Sequence, residues 1–362
     1  MNKKALRADL LLLLTAAVWG FGFVAQRSGM EYIGPFAYNG VRFILGSVCL
    51  LPLIFFMRNQ KRRAGVSSLK INNLLIPSLA AGTVLFIAVM LQQIGIIFTT
   101  AGNAGFITGL YVVFTPIFGI FLKRKTGLPT WIGSVLTLTG LYFISAAENP
   151  GEINPGDFIV FISAFFWTAH VLLIDKLINT SGSMHEENGE PKSALPEPAA
   201  KLHLDPVEFS AGQFAVCGFL SMAGAFFIEP FIVHAVESID PALLEEGLFS
   251  WLPFPALVSA LGNGDVTITF EALIPVLYGG MCSVGIAYTL QAVAQRDAPP
   301  AHATIILCFE GCFAAAGGFL LLSEKAGMWT LLGFIFMLAG MIATQWEVIA
   351  KGQGKKNDTP CN

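Results

Sequence analysis

Two ionisable residues, Glu310 and Arg42, each interrupt a long apolar stretch of the sequence. Glu310 lies nine residues beyond Ala301, and Arg42 lies seven residues beyond Pro35. If these stretches are membrane helices that rise 1.5 Å per residue, Glu310 is roughly 13 Å and Arg42 roughly 10 Å from the start of its helix. A charge near the centre of a bilayer costs about 2.5 to 3.5 kcal/mol on insertion scales, so both residues are candidates for function.

The two side chains suit opposite chemistries. A carboxyl group at Glu310 suits exchange of a proton or binding of an amine; the alternative is a protonated Glu that bonds to a neighbouring helix. The planar guanidinium of Arg42 suits a bidentate contact with a substrate carboxylate or with an acidic side chain. Its alternatives are to reach the outer interface along its flexible stem or to tie helices together through backbone carbonyls.

Aromatic and neutral polar side chains provide further candidates. Trp19 and Trp167 lie away from the helix ends at which Trp usually anchors a protein in lipid, so in a cavity they would stack on an apolar or cationic substrate; helix packing is the alternative. Single polar residues at membrane depth more often form interhelical hydrogen bonds than ligand contacts. Those at this depth are Tyr111, Gln92, Gln291, Asn103, Gln213 and His170, of which His170 also titrates near neutral pH.

No pattern in the sequence indicates catalysis, a cofactor or a metal. Cys308 and Cys312 lie four residues apart, on one face of a helix, but no third ligand of matching type is near, so we interpret them as packing residues. A Walker loop, a Rossmann fingerprint and a metalloprotease motif are all missing from the sequence, and nothing indicates binding of nucleic acid. We therefore predict a protein that is not an enzyme and binds no cofactor.

The composition indicates a protein that folds in lipid. Apolar residues make up 54% of the 362 positions and charged residues only 12%. Because a membrane helix needs about 20 mostly apolar residues, the chain accommodates ten of them. The predicted spans are Leu10 to Gln26, Pro35 to Met57, Leu74 to Phe98, Ala101 to Leu122, Thr130 to Ala147, Phe158 to Ile178, Val207 to Ile228, Ala272 to Ala294, Ala301 to Leu322 and Met328 to Trp346.

The basic residues predict the orientation. With ten spans and the N-terminus inside, 18 of the 21 Lys and Arg residues fall in inner segments, as the positive-inside rule requires. One span more or fewer would move several basic clusters to the outer side. We predict a multi-pass protein of the plasma membrane with both termini in the cytoplasm.

The two groups of five spans resemble each other. Because each group holds an odd number of spans, the second must be inverted relative to the first, which predicts a site near the membrane midplane between the halves. We thus predict an all-α integral membrane protein with ten transmembrane helices in two inverted five-helix repeats. The matched positions are Trp19 with Trp167, Arg42 with Gln213, Leu91-Gln92 with Leu290-Gln291, Tyr111 with Glu310, and Gly133 and Gly140 with Gly333 and Gly340.

The first repeat covers residues 1–148, the second covers residues 155–347, and residues 348–362 form a cytoplasmic tail. Two insertions interrupt the second repeat: a polar cytoplasmic loop at 180–205 and an outer loop at 231–271. The outer loop holds no Lys or Arg, and its apolar segment FSWLPFPALVSALG is broken by Pro253 and Pro255, which favours a position at the membrane interface.

Several motifs together resemble the EamA type of the drug/metabolite transporter superfamily. They are the run CFEGCFAAAGGFLLLSEK with Glu310 and Glu324, the paired glycines of the last span, Arg42-Phe43 in the second span and Trp19-Gly20 in the first. Gly311 and Ser323 stand where this family usually has Pro and Gly.

The resemblance implies a secondary transporter, and by family inference an exporter, of small metabolites such as amino acids or related amphiphilic compounds. It implies alternating access around a midplane cavity, with protons as a candidate coupling ion. A flippase for lipid-linked sugars from the same superfamily, and a membrane sensor or scaffold that transports nothing, stay open as alternatives.

Overall fold

The computed structural model describes residues 3–30, 32–64, 71–99, 101–122, 126–145, 155–179, 204–237, 270–321 and 327–357, which are helical apart from short turns. Most of the polar loop, the apolar segment of the outer loop, and Glu324 lie outside these residues. The helices are α1 (Lys3–Gly29), α2 (Pro35–Arg63), α3 (Ile71–Phe98), α4 (Ala101–Gly109), α5 (Tyr111–Phe121), α6 (Leu128–Ser145), α7 (Pro155–Asn179), α8 (Pro206–Glu237), α9 (Phe270–Leu277), the π-helix π1 (Tyr278–Tyr288), α10 (Thr289–Ala294), α11 (Pro300–Leu307), α12 (Glu310–Leu321) and α13 (Met328–Asn357).

Every predicted span is helical in its described part, apart from short breaks in two of them. Within the described residues, seven helical stretches are long and apolar enough to cross a membrane, and three shorter apolar helices accompany them. Large apolar side chains cover much of the outer surface, with Phe55, Phe121 and Phe227 exposed by 77% or more. A surface of this kind belongs in lipid, since soluble monomers rarely expose large contiguous apolar patches. The helix α8 continues through Glu237, into the predicted outer loop.

Two of the predicted spans are interrupted at matched positions. Leu110 separates α4 from α5, and Cys308 and Phe309 separate α11 from α12. At both places the backbone tightens to bonds between residues three apart: Val113 N donates to Leu110 O at 3.0 Å, and Gly311 N donates to Cys308 O at 3.0 Å. The residues that follow these two breaks are Tyr111 and Glu310.

Helices from the two halves of the chain pack closely against each other. The α6–α13 contact is built on reciprocal glycines: a Cβ on Gly140 would lie 2.5 Å from Gly333 O, and a Cβ on Gly340 would lie 2.7 Å from Gly133 O. Gly105 differs, because a Cβ added there would meet no other atom within 4 Å. Close helix approach is thus a property of the Gly140–Gly333 and Gly340–Gly133 contacts and not of Gly105.

Ion pairs connect the helices at the end of the bundle where α1 begins, which we call the N-terminal end. The guanidinium of Arg58 at the end of α2 forms a bidentate pair with Glu208 at the start of α8, with N–O distances of 3.0 and 2.9 Å. Lys61 Nζ lies 2.9 Å from Asp205 Oδ2. Bidentate geometry makes the first pair stronger than an ordinary surface ion pair.

At the opposite end, a buried carboxylate on α8 caps α2. Glu229 Oε1 accepts a hydrogen bond of 2.8 Å from Phe36 N, in the first turn of α2. The first amides of a helix have no partner within it, and the helix dipole favours an anion there. Both ends of the α2–α8 pair are therefore joined by polar contacts.

Candidate functional site

A cavity between the two halves of the chain brings together residues from α1, α2, α3, α4, α5, α7, π1 and α12. It encloses about 370 Å³ of empty space, counted with the solvent at its mouth. Six of the ten residues singled out from the sequence line it. The lining residues are Trp19, Phe23, Gln26, Arg42, Gln92, Thr108, Tyr111, Trp167, Ser283, Tyr288 and Glu310.

The cavity lies away from the N-terminal end of the bundle. Gln26 is three residues from the end of α1, and Arg42 is seven residues from the start of α2, at the end opposite the ion pairs. Trp167 and Glu310, which also line the cavity, lie near the middle of their helical spans. The structure thus has a cavity in one half of the bundle and ion pairs closing the other end.

Glu310 is a buried carboxyl group, with 4% of its surface exposed. Its Oε1 accepts a hydrogen bond of 3.0 Å from the hydroxyl of Tyr111, the residue that matches it in the other half of the chain. The break before α12 places Glu310 in the first turn of that helix, where the dipole favours an acidic side chain. Among the described residues no cation lies within ion-pair distance of this carboxyl group.

Arg42 is buried to the same degree, with 2% of its surface exposed, so the interpretation that it reaches the outer interface is wrong. Its Nε donates to Asn39 Oδ1 at 2.7 Å, and its guanidinium lies over the rings of Tyr38 and Phe43. Asn39 is held in turn by its bonds to Val89 O and Met90 Sδ.

These contacts hold the guanidinium in place but do not neutralise its positive charge. In the described part of the protein, no carboxylate pairs with Arg42, and its terminal nitrogens have no hydrogen-bond partner. A buried cation without a counter-ion is costly unless an anionic group joins it. Arg42 therefore brings a positive charge with no counter-ion among the described residues to the wall of the cavity.

Aromatic rings separate the cavity from the rest of the bundle. Tyr288 is the central ring, with its centroid 4.5 Å from that of Trp19, 6.0 Å from that of Trp167 and 5.7 Å from that of Phe214. Matched residues meet here, since Trp19 lies 6.4 Å from Trp167 and Phe43 lies 6.1 Å from Phe214. We call Trp167, Tyr288 and Phe214 the aromatic layer.

Tyr288 was not identified as a candidate from the sequence, although it lies three residues before Gln291, on the same helical face. The π-helix π1 ends at Tyr288 and is tied to α1 by Trp19 Nε1, which donates to Ser283 O at 3.2 Å, and by the hydroxyl of Tyr278, which donates to Val18 O. π-Helices are rare and often occur at functional sites. The π-helical register decides which side chains of this span face the cavity, and the hydrophobic pattern did not reveal it.

The remaining candidates lie elsewhere. His170 and Gln213 are fully buried and bond to each other, with His170 Nε2 2.9 Å from Gln213 Oε1, and Gln291 is buried on α10. Gln92, which does line the cavity, donates to Thr108 Oγ1 at 2.9 Å. Asn103 belongs to α4, but its side chain is outside the described part of the structure.

The described residues include no group of three or more His, Cys, Asp or Glu side chains that could hold a metal ion. Cys308 Sγ donates to Gly109 O at 3.4 Å, and Cys312 Sγ lies 3.3 Å from Met337 Sδ. Both thiols therefore take part in helix packing, as we interpreted them from the sequence.

The chain is similar to proteins named as transporters. The profile of the EamA-like transporter family matches residues 6–146 and 247–345. An uncharacterized transporter of Archaeoglobus fulgidus is 33% identical over 177 residues, which are 47% of this chain and 50% of that protein. Another uncharacterized transporter from the same organism is 24% identical over 349 residues, covering 95% of this chain and 98% of its own length.

A solved crystal structure has the same fold. It aligns with 97% of this chain and 99% of its own, at a TM-score of 0.63 and 13% sequence identity. At that level of identity the likeness concerns the fold alone.

Proposed function

This chain belongs to the EamA-like transporter family, and from that premise we propose that it is a secondary transporter of small metabolites such as amino acids or related amphiphilic compounds. The described part of the chain has seven helices of spanning length and shorter apolar helices beside them, as a multi-pass membrane protein has. Membership of the family indicates transport. The charged and aromatic residues that line the cavity support amino acids or related amphiphilic compounds as the class of substrate.

The observation that carries the proposal is the charge arrangement of one cavity. A fixed guanidinium, Arg42, and a buried carboxyl group, Glu310, line the same space, and neither has a counter-charge among the described side chains. The rings of Trp19, Trp167 and Tyr288 line the space with them. A compound with an anionic group, a cationic group and an apolar body satisfies all three features.

The helix contacts support alternating access between inverted halves. Three of the sets of residues that the two halves match in sequence also meet in space: Trp19 with Trp167, Tyr111 with Glu310, and the glycines of α6 with those of α13. Such contacts are expected around a pseudo-two-fold axis. Ten spans, the inverted arrangement and cytoplasmic termini are part of this proposal.

We also propose that protons drive the cycle and that export is its direction. Glu310 supports the first point, since a carboxyl group without a cationic partner can take up a proton when no cationic substrate is bound. Export rests on the family resemblance.

The test is flux in liposomes that contain the purified protein. Radiolabelled amino acids and fluorescent cationic dyes are offered with and without an imposed proton gradient. We expect saturable uptake of at least one zwitterionic compound and faster uptake with the gradient. Folded protein that moves none of these compounds would overturn the proposal and favour a sensor or scaffold.

A further inference from the structure

One helical turn beyond the aromatic layer, toward the N-terminal end, three helices each carry a buried polar side chain. His170 follows Trp167 by three residues on α7, and Gln291 follows Tyr288 by three residues on α10. Ser210 precedes Phe214 by four residues on α8, which runs in the opposite sense. Because the Tyr288 ring contacts the rings of both Trp167 and Phe214, the three polar residues lie at a similar depth.

These side chains and Gln213 are at most 1% exposed, yet each has a polar atom with no hydrogen-bond partner among the described residues. The atoms are His170 Nδ1, Gln213 Nε2, Gln291 Oε1 and Ser210 Oγ. An unpaired buried polar atom costs about 1 to 3 kcal/mol, so a group of four at one depth requires an explanation. Ordered water, or a ligand that enters in another conformation, would pair them.

The alignment of the two halves relates this group to the cavity. Gln213 matches Arg42, Gln291 matches Gln92, and Ser210 matches Asn39, which holds the Arg42 guanidinium. The cavity and this group of four buried polar residues, the inner group, therefore contain equivalent positions of the two halves. The inner group differs in charge, because the guanidinium on α2 is replaced by an amide on α8.

We propose that His170, Ser210, Gln213 and Gln291 form a second substrate site, the inner polar site, which becomes hydrated and takes the polar groups of the substrate when the N-terminal end opens. The proposal rests on the proposed transport function. In the present conformation the side chains of the site are buried, between the aromatic layer on one side and the end that carries the Arg58–Glu208 pair on the other.

The neutral donors and acceptors of the inner polar site have a mechanistic consequence. A zwitterion that leaves Arg42 and Glu310 meets two amides, a hydroxyl and an imidazole in place of two charges. Hydrogen bonds to charged groups are roughly twice as strong as neutral ones, so the inner polar site holds the substrate more weakly. The substrate is thus held more tightly in the cavity than in the inner polar site. The inner polar site therefore favours release of the substrate toward the N-terminal end, or its rapid capture from that end.

Cysteine accessibility tests the proposal in the full-length protein. In a variant with the six native cysteines replaced by alanine, Ser210→Cys is treated with a membrane-impermeant thiol reagent from each side of sealed vesicles. We expect labelling from the side of the N-terminus, at least ~10-fold faster than for Ser134→Cys, because thiol reactivity requires access. Ser134 is equally buried, but its hydroxyl is bonded to Thr130 O and Val112 O.

A second reporter on another helix strengthens the test. Gln291→Cys should be labelled from the same side as Ser210→Cys, and its match Gln92→Cys from the opposite side. If both inner reporters react as slowly as Ser134→Cys from either side, the inner polar site does not open and the inference is wrong. Flux in the same vesicles is a separate measurement, so a failure of the transport function is distinguished from a failure of this inference.

Discussion

Arg42 and Glu310 have different supports in the structure, and these supports determine how each should respond to substitution. Arg42 is oriented by Asn39 and by two aromatic rings, whereas Glu310 receives a single hydrogen bond from Tyr111. Both are buried without an opposite charge among the described side chains. Their roles can therefore be separated by single substitutions.

Replacement of Arg42 should weaken binding of the anionic end of the substrate. Arg42→Gln keeps a hydrogen-bonding side chain but removes the charge, and a charged hydrogen bond contributes about 1.5 to 3 kcal/mol, or roughly 10- to 100-fold in affinity. We expect KM for a zwitterionic substrate to rise by that factor in proteoliposomes. Arg42→Lys should recover only part of the loss, because a lysine cannot form the bidentate contact. An unchanged KM in both variants would contradict the role of Arg42.

Replacement of Glu310 should separate the two roles considered for it. Glu310→Gln still accepts the Tyr111 hydrogen bond but cannot carry a charge or release a proton. If Glu310 exchanges the coupling proton, the variant should lose stimulation by an imposed proton gradient and keep substrate exchange without one. If it binds only an amine, KM should rise with the stimulation retained.

Glu229→Gln is the control for this substitution, since Glu229 is equally buried but bonds to Phe36 N outside the cavity. We expect this control to retain its response to the proton gradient. A loss of that response in both variants would show that the effect is not specific to Glu310.

At the scale of helices, the sequence patterns predicted which segments are helical better than they predicted the breaks and the helical register within those segments. The apolar windows located helices correctly, because burial in lipid demands long apolar runs whatever their contacts. The breaks before Tyr111 and Glu310 and the π-helical register of π1 were not predicted. These depend on contacts between helices, such as the bond from Trp19 to Ser283 O, which no single apolar window encodes. Tyr288 was missed for the same reason.

The contact between α6 and α13 should be sensitive to a single methyl group. Gly140→Ala places a Cβ 2.5 Å from Gly333 O, and overpacking of this kind typically costs about 1 to 3 kcal/mol. We expect the midpoint of thermal unfolding in detergent to fall by several degrees. Gly105→Ala is the matched control, because its Cβ would enter open space and alanine favours a helix, so its midpoint should not fall. Equal stability of the two variants would show that the glycine contact does not govern this pair.

At the scale of the molecule, the family and six of the cavity residues could be predicted from the sequence. The separation of the candidate residues into two groups could not. The EamA resemblance was predicted from scattered motifs and is confirmed by the family profile. Six predicted residues line one cavity, while His170, Gln213 and Gln291 lie one turn beyond the aromatic layer. The sequence placed all of them at membrane depth, but only the packing of Trp167, Tyr288 and Phe214 separates the two groups.

The orientation of the halves can be tested by the accessibility of three positions. If the two halves are inverted copies with cytoplasmic termini, the connection at 148–154 lies outside the cell, and residue 183 and the C-terminus lie inside. An epitope inserted after residue 151 should bind antibody on intact cells, whereas epitopes after residue 183 and at the C-terminus should bind only after permeabilisation.

The basic residues give the physical reason for this expectation, since 18 of the 21 lie in segments that this arrangement keeps inside. A chain with nine or eleven spans would place its two ends on opposite sides of the membrane. Binding of antibody to the C-terminal epitope on intact cells would therefore exclude the inverted ten-helix arrangement, and with it the equivalence of the cavity and the inner polar site.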